Sequence, residues 1–438
     1  MSQPSQPHRI VIVGGGAGGI ELATKLGKKL GKKKKAHAEI TLVDCNRTHI
    51  WKPLLHEVAA GTFDSHENQI EYLAQAANNG FRFRLGRMTG VDREQRLIKV
   101  APTYNEQGKQ LIPAREFPYD TLIIAVGSVS NDFGIPGVRD HCLFLDTHDE
   151  AETFQRKLLE ATLFVHAQAT PMASSDLDVA IAGAGATGVE LAAQLHKVTR
   201  LFKAYGLDGI TPQDIKITII EAADRILPGL PPRLSQATLE ELLKLDINVL
   251  TNERVVEATE EGIRCESGKF IKAGIRVWAA GIKAPNFLAE LGLETNRINQ
   301  LVVHPTLQTT QDENIFALGD CAACPLPDGG WVPPRAQSAH QQASLLVKTV
   351  CSRLRGRPLP VYKYYDYGSL VSLGKYSTVG NLMGNLTGSV MVEGFFARMV
   401  YLTLYKLHQL AMFGLYRTAM LSIAHQFRAS VHPEIKLH

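Results

Sequence analysis

Residues 10–19 read IVIVGGGAGG, and residues 179–190 read VAIAGAGATGVE. Each is an apolar run feeding Gly-x-Gly-x-x-Gly: Gly14, Gly16 and Gly19 in the first, Gly183, Gly185 and Gly188 in the second. A short apolar run that stops at glycines reads as a buried strand, here 9–13 and 178–182. The residues that follow read as helices, 18–30 and 187–201. In such a unit the first glycine permits a tight turn and the second lets backbone approach a pyrophosphate. The third lets helix and strand pack. The helix start adds unpaired N–H donors and a positive dipole end. Two units imply two dinucleotides, and two dinucleotides imply electron transfer between them.

Working outward, each unit has a second strand that ends in an acid. Strand 39–43 meets Asp44, and strand 215–220 meets Glu221. A carboxylate there suits the hydroxyls of an adenosine ribose. At Glu221 it favours NAD over NADP, because it repels a 2′-phosphate; Arg225 is close enough to complicate that preference. Runs 121–126, 275–279 and 314–318 read as further buried strands, leading into Gly127-Ser128, Ala280-Gly281 and Gly319-Asp320. Segments 81–85 and 97–100 read as strands flanking a turn. Helices are expected over 149–167 and 336–353.

The expected fold is α/β, with two Rossmann-like domains, the second inserted in the first. Residues 1–144 and 288–360 would form the first and 145–287 the second. Residues 361–438 would form C-terminal strands and amphipathic membrane-associating helices.

Composition agrees with a folded chain of more than one core: 438 residues, 45% hydrophobic and 21% charged. Cys45, Cys142, Cys265, Cys321, Cys324 and Cys351 are too scattered for a disulfide framework. The polar first eight residues hold no apolar core of a secretory signal. No run is long and apolar enough to predict a transmembrane helix. No metal site is expected, and no motif points to nucleic acid.

The formal net charge is +4, and from residue 361 onward seven Lys or Arg stand against three acids. The excess therefore sits in the tail. On a helix over 394–417, Arg398, Lys406, Gln409 and Arg417 fall in one arc. Phe395, Phe396, Met399, Leu407, Leu410, Met412 and Phe413 lie around the rest. That pattern predicts a helix lying in a membrane interface; docking on the protein's own core or on a second copy stays open. KKLGKKKK, 28–35, reads as a solvated loop, with anionic lipid as the alternative partner.

The chain resembles the type II NADH dehydrogenases, single-subunit flavoenzymes that pass electrons from NADH to a membrane quinone. The resemblance runs in order through VGGGAGG, Asp44, PLLHEVAAG, AVGS, GAGATGVE, WAAGIKA, ALGD, AQSAHQQ and the amphipathic tail. PLLHEVAAG, AQSAHQQ and the tail are its more specific parts. It implies FAD at Gly14, Gly16, Ala17, Gly19 and Asp44, with Pro53 and Leu54 beside the isoalloxazine. Ala125 and Gly127 would cover the FAD. Asp320 would hold the ribityl chain, with the Gly319 N–H at the pyrophosphate. NADH would lie on Gly183, Gly185, Thr187 and Gly188, with Glu221 at the ribose and Ala280 and Gly281 under the nicotinamide. Glu190 would reach toward the nicotinamide–flavin contact. The AQSAHQQ helix start, from Ala336, would place Gln337 and Gln341 at the quinone or the flavin. Lys375 would stand near the quinone entrance.

The resemblance further implies quinone reduction without proton pumping. It implies a homodimer and a peripheral location on the cytoplasmic face of the inner or plasma membrane. Two alternatives remain at this point. A thiol-dependent flavin reductase or NADH oxidase would need a redox cysteine near the flavin. PLLHEV carries none, and Cys321–Cys324 follows a phosphate-binding motif instead. An NADH-sensing flavoprotein would act by binding a partner.

Overall fold

The computed structural model describes residues 6–31, 38–167, 176–202, 205–207, 215–372, 378–384, 388–393 and 405–429. The chain forms two compact units. The first comprises residues 1–51, 68–129 and 282–365; the second comprises 52–67, 130–281 and 366–438. The second thus interrupts the first, in an α/β architecture. It also takes the PLLHEV segment and the C-terminal residues.

The first unit is built on a six-stranded sheet. Its order is Gln308–Thr309, Asp312–Ala317, Thr121–Ile124, His8–Val13, Ala38–Asp44 and Arg82–Leu85. All neighbours are parallel except the first pair, a hairpin. Parallel strands covered on both faces need continuous apolar runs. Ile12 accordingly lies between Leu42 and Ile123 in register, all three buried. Helix Ala17–Leu26 packs against helix Ala336–Arg353.

The second unit repeats the plan with four parallel strands, ordered Asn248–Leu250, Ile217–Ile220, Val179–Ala182 and Ile275–Trp278. Ala180, Ala182, Ile220 and Trp278 share one buried cluster with Val138 and Phe144. Helices His148–Ala167, Ala186–Phe202 and Pro232–Lys244 belong to this unit.

Three expectations are corrected. The helix predicted over 18–30 is an α-helix only over Ala17–Leu26, followed by a wider π turn, Gly27–Gly31. A Cβ at Gly27 would meet the Asn79 carbonyl at 2.4 Å, and one at Gly31 the Gly80 carbonyl at 1.9 Å. The two glycines let the widened end lie directly on that backbone. Segments 81–85 and 97–100 do not flank one hairpin. Arg82–Leu85 joins the parallel sheet, and Leu97–Val100 pairs with an unforeseen strand, Met88–Asp92, and with Arg115–Pro118.

The third correction concerns the tail. Residues 394–404 lie outside the described residues. The remainder is two helical stretches, 405–413 and Leu415–Ala429, separated at Gly414 with φ +79°. The polar stripe is also inverted in the first stretch. His408 and Gln409 are buried and Lys406 donates to Gln409 Oε1 (2.9 Å), whereas Leu407 and Leu410 are exposed. Desolvation pushes the Lys406 ammonium below its ordinary value. Arg417 is exposed as expected.

Candidate functional site

The first glycine loop is shaped by backbone crowding. Gly14 has φ +101°, and a Cβ there would meet the Ala125 carbonyl at 2.3 Å. A Cβ on Gly19 would lie 1.8 Å from the Gly14 carbonyl. Gly16 faces open space, with nothing within 4 Å of where a Cβ would stand. No side chain caps the helix that starts after Gly16. Unpaired N–H groups and an open approach fit a phosphate. Ala17 is half-buried at the start of the helix.

Asp44 closes the loop from the neighbouring strand. It accepts the Gly15 N–H (2.6 Å) and the Asn46 N–H (2.7 Å). Burial pushes its carboxyl above the ordinary value, and these two donors oppose that. A carboxylate has about four lone-pair sites, so ribose hydroxyls can still be accepted.

The second loop repeats this atom for atom in kind. Gly183 has φ +106° and its Cβ would meet the backbone of Ala279 and Ala280 at 2.7 Å. A Cβ on Gly188 would lie 2.0 Å from the Gly183 carbonyl, and Gly185 is open. Glu221 accepts the Ala184 N–H (2.8 Å) and the Ala223 N–H (2.9 Å). Arg225 turns to the Pro228 carbonyl (3.1 Å) and the Leu230 carbonyl. Thr187 is exposed in the first turn of the helix.

In the first unit, Ala125 is buried and Gly127 adopts φ +70° in open space. Ser128 Oγ donates to Asp320 Oδ2 (2.8 Å), which orients that carboxylate. The Gly319 N–H is already taken: it donates to Gln342 Oε1 (2.7 Å). The N–H expected at a pyrophosphate thus has an acceptor within the chain. Gln342 is buried and was not among the expected residues. Its signal was periodicity, since it shares the buried stripe of its helix with Ser338, Ala339, Leu346 and Thr349.

Ala336 and Gln337 are half-buried at the start of the same helix. Gln341 bonds to the chain itself. Its Nε2 donates to the Tyr365 carbonyl (2.7 Å) and its Oε1 accepts the Tyr365 N–H (3.0 Å), so its amide straps down the chain before residue 366. Lys375 lies outside the described residues.

In the second unit, Pro53 is exposed and Leu54 is buried in a 3₁₀ turn, Lys52–Leu54, ahead of helix Leu55–Ala59. Lys52 reaches Asp146 (3.2 Å). Glu190 is buried, with His56 Nδ1 3.6 Å from its Oε2. Ala280 and Gly281 follow Trp278, whose indole N–H donates to the Asn131 carbonyl (2.8 Å). A Cβ on Gly281 would collide with the Phe133 ring, which is exposed.

All six cysteines are free. Burial pushes both the Cys321 and Cys324 thiols up to about 12. Cys321 Sγ is held by the Leu318 carbonyl (3.3 Å). A thiol of that kind is not a nucleophile at neutral pH.

The chain is 43% identical over 443 residues to the type II NADH:quinone oxidoreductase of Haemophilus influenzae, covering 98% of this chain and 99% of that one. The chain belongs to the type II NADH:quinone oxidoreductases. A second member, from Staphylococcus aureus, is 28% identical and covers 86% of this chain and 90% of its own. The pyridine nucleotide-disulphide oxidoreductase family matches residues 8–343. The NDH2 of Plasmodium falciparum in complex with NADH has a TM-score of 0.82 at 20% identity, over 98% of this chain and 100% of that one. The sulfide:quinone oxidoreductase of Aquifex aeolicus shares the fold with a TM-score of 0.72 at 18% identity, over 97% of this chain and 96% of that one. A type II NADH:quinone oxidoreductase is therefore the frame in which both glycine loops are to be understood.

Proposed function

We propose that this chain oxidises NADH and reduces a quinone, with FAD as its resident cofactor and without proton pumping. The observation that carries the reading is the doubled loop: Gly16 and Gly185 both open, Asp44 and Glu221 both accepting two backbone N–H groups behind them. Bound FAD would supply the acceptance of hydride and the delivery of electrons to quinone.

The chain's own groups do the rest. The start of helix Ala17–Leu26 and Gly16 would hold the FAD pyrophosphate, and Asp44 its ribose. Asp320, which accepts the Ser128 hydroxyl, would meet the ribityl hydroxyls. Gly183, Gly185, Thr187 and Gly188 would hold NADH, with Glu221 on the ribose and Ala280 and Gly281 beneath the nicotinamide. Glu190 is the candidate to manage charge near the nicotinamide. Pro53 and Leu54 would pack beside the isoalloxazine. Gln337 would face the quinone, and Lys375 remains a proposed partner there.

The acceptor would arrive from a membrane surface. Leu407, Leu410, Leu415, Tyr416, Ile423 and Phe427 are all exposed on the C-terminal helices, an apolar face suited to an interface. No helix among the described residues is long and apolar enough to cross a membrane. The exposed apolar residues support peripheral attachment, and the cytoplasmic face of the inner or plasma membrane and a homodimer are proposed with it.

The test is a visible spectrum of the purified protein before and after NADH, then after quinone. A flavin band that bleaches with NADH and returns with quinone supports the proposal, and a band indifferent to NADH sinks it. A thiol-dependent mechanism is separated by Cys321→Ser/Cys324→Ser. NADH–quinone turnover within about twofold of the parent is expected, because buried, raised thiols are inert. Loss of most turnover with FAD retained would reinstate the thiol route.

A further inference from the structure

The first loop has a glycine, Gly15, where the second repeat has Ala184. The difference has a structural cause. A Cβ on Gly15 would lie 2.4 Å from Cζ and from the hydroxyl oxygen of Tyr72. The Tyr72 ring is buried and stacks on Phe83, with centroids 5.0 Å apart. Its hydroxyl donates to the Gly15 carbonyl (2.8 Å). The buried His49 ring also hydrogen-bonds to the Gly15 backbone, and that bond favours the protonated ring, as donation to a carbonyl does. A carbonyl has two lone pairs, and here two buried side chains approach them. The Gly15 N–H goes to Asp44 Oδ2 (2.6 Å). All of these residues belong to the first unit.

Both hydrogen-bonding groups of Gly15 are therefore fixed from outside the loop. The peptide bond that follows is planar and trans, so its N–H, which belongs to Gly16, points opposite to the held carbonyl. The Gly16 N–H thus points away from Tyr72 and His49. No acceptor among the described residues takes it, and Gly16 faces open space. The second loop follows the same plan. The Ala184 N–H goes to Glu221 Oε2 (2.8 Å), its carbonyl accepts the Leu227 N–H (2.8 Å), and Gly185 is open. There the holder of the carbonyl is backbone, and an alanine stands where the first loop must leave room for a ring.

We propose that Tyr72 is a positioning residue for the FAD pyrophosphate: by holding the Gly15 carbonyl, its hydroxyl aims the Gly16 N–H at the phosphate. A donor that is already aimed loses little freedom on binding. The hydroxyl thereby adds to affinity without touching the cofactor.

This rests on the first loop being the FAD loop. Gly19→Ala, which forces a Cβ onto the Gly14 carbonyl, tests that separately and should lose flavin. For the positioning role, holoenzymes of the parent, Tyr72→Phe and Phe83→Leu are compared by phosphorus NMR of the bound FAD and by the rate at which flavin leaves on dilution. Tyr72→Phe removes one oxygen and keeps the ring. Its flavin should leave about five- to tenfold faster, the worth of one neutral hydrogen bond, and its pyrophosphate resonances should move. Phe83→Leu loosens the packing under the ring and keeps the hydroxyl. It should lower Tm and leave the phosphorus resonances at their parental positions. Resonances unmoved in Tyr72→Phe, or moved equally by Phe83→Leu, overturn the positioning role. If Tyr72→Phe matches the parent while Gly19→Ala loses its flavin, the FAD assignment stands and the proposal alone falls. If Gly19→Ala keeps its flavin, the assignment falls and the proposal with it. Should Tyr72→Phe not fold, His49→Leu, which takes the other donor from the same carbonyl, decides in the same way.

Discussion

The two glycine loops have the same backbone logic and different supports. In each, the carbonyl after the first glycine is held from outside the repeat. At Gly15 the holder is the Tyr72 hydroxyl (2.8 Å), from a buried ring stacked on Phe83. At Ala184 it is the Leu227 N–H (2.8 Å), from a loop residue with φ +48°. The first loop is thus pinned by a packed aromatic side chain and carries a locked Glu21. The second is pinned by loop backbone and carries a Glu190 whose Oε2 lies 3.6 Å from His56 Nδ1. Sequence repeats alone place both glutamates at equivalent positions. Their surroundings differ: Lys25 and His340 stand at Glu21, and His56 stands at Glu190.

The sharpest way to break this comparison is to crowd the third glycine in each loop. Gly19→Ala and Gly188→Ala both force a Cβ to within about 2 Å of a backbone carbonyl, an overpacking worth about 1–3 kcal/mol or more. Gly19→Ala should yield protein with most of its flavin lost, read from the ratio of visible to ultraviolet absorbance. Gly188→Ala should keep its flavin and lose NADH affinity at least tenfold, about 1.4 kcal/mol. Flavin loss in both, or in neither, would show that the loops do not divide the two nucleotides.

A smaller effect tests the acids. Glu221→Gln keeps the acceptor for the Ala184 N–H in part but removes the charge that repels a 2′-phosphate. The preference for NADH over NADPH, as a ratio of kcat/KM values, should fall by roughly tenfold. Flavin content should stay unchanged. An unaltered ratio would take Glu221 off the ribose.

The smallest effect compares the strand entries. In the first unit Asp120 accepts the Arg9 N–H (2.8 Å) and the Arg9 guanidinium at Nη2 (2.8 Å), which holds its carboxyl down at about 2. In the second unit Asp178 accepts the Lys216 N–H (2.9 Å), and burial raises its carboxyl instead. The signs are opposite. Asp120 contributes stability above its unfolded value of about 4, and that contribution is lost as pH falls through about 2. Asp178 favours its protonated form in the fold, so its contribution weakens as pH rises through the unfolded value. Asp120→Asn should therefore lower Tm at neutral pH by the equivalent of about 0.5–1 kcal/mol, since the pair is partly exposed and screened. That loss should shrink under acid. Asp178→Asn should cost less at neutral pH than Asp120→Asn, and the reverse order in thermal melts would contradict the assignment.

Much of the fold was legible because buried parallel strands must be continuous apolar runs and dinucleotide turns must be glycines. Those are local demands, visible at 10–19 and 179–190 without a structure. Gln342 was missed because Gln341 and Gln342 are chemically identical. Only the buried stripe of the helix shows which one turns inward. The tail was legible as helical and amphipathic, but the break at Gly414 was not, and amphipathic patterning does not say which face meets the protein. His408 and Gln409 turned inward, and Leu407 and Leu410 outward.

By itself the sequence determined the two strand–turn–helix units, the acid behind each, and the absence of a cysteine in PLLHEV. Each of these depends on residue type and spacing along a few turns of chain. Tertiary structure alone decided that Gly319 gives its N–H to Gln342, that Gln341 straps Tyr365, and that His56 stands beside Glu190. Those partners are distant in sequence, and a hydrogen bond is settled by where two atoms meet rather than by what either residue is.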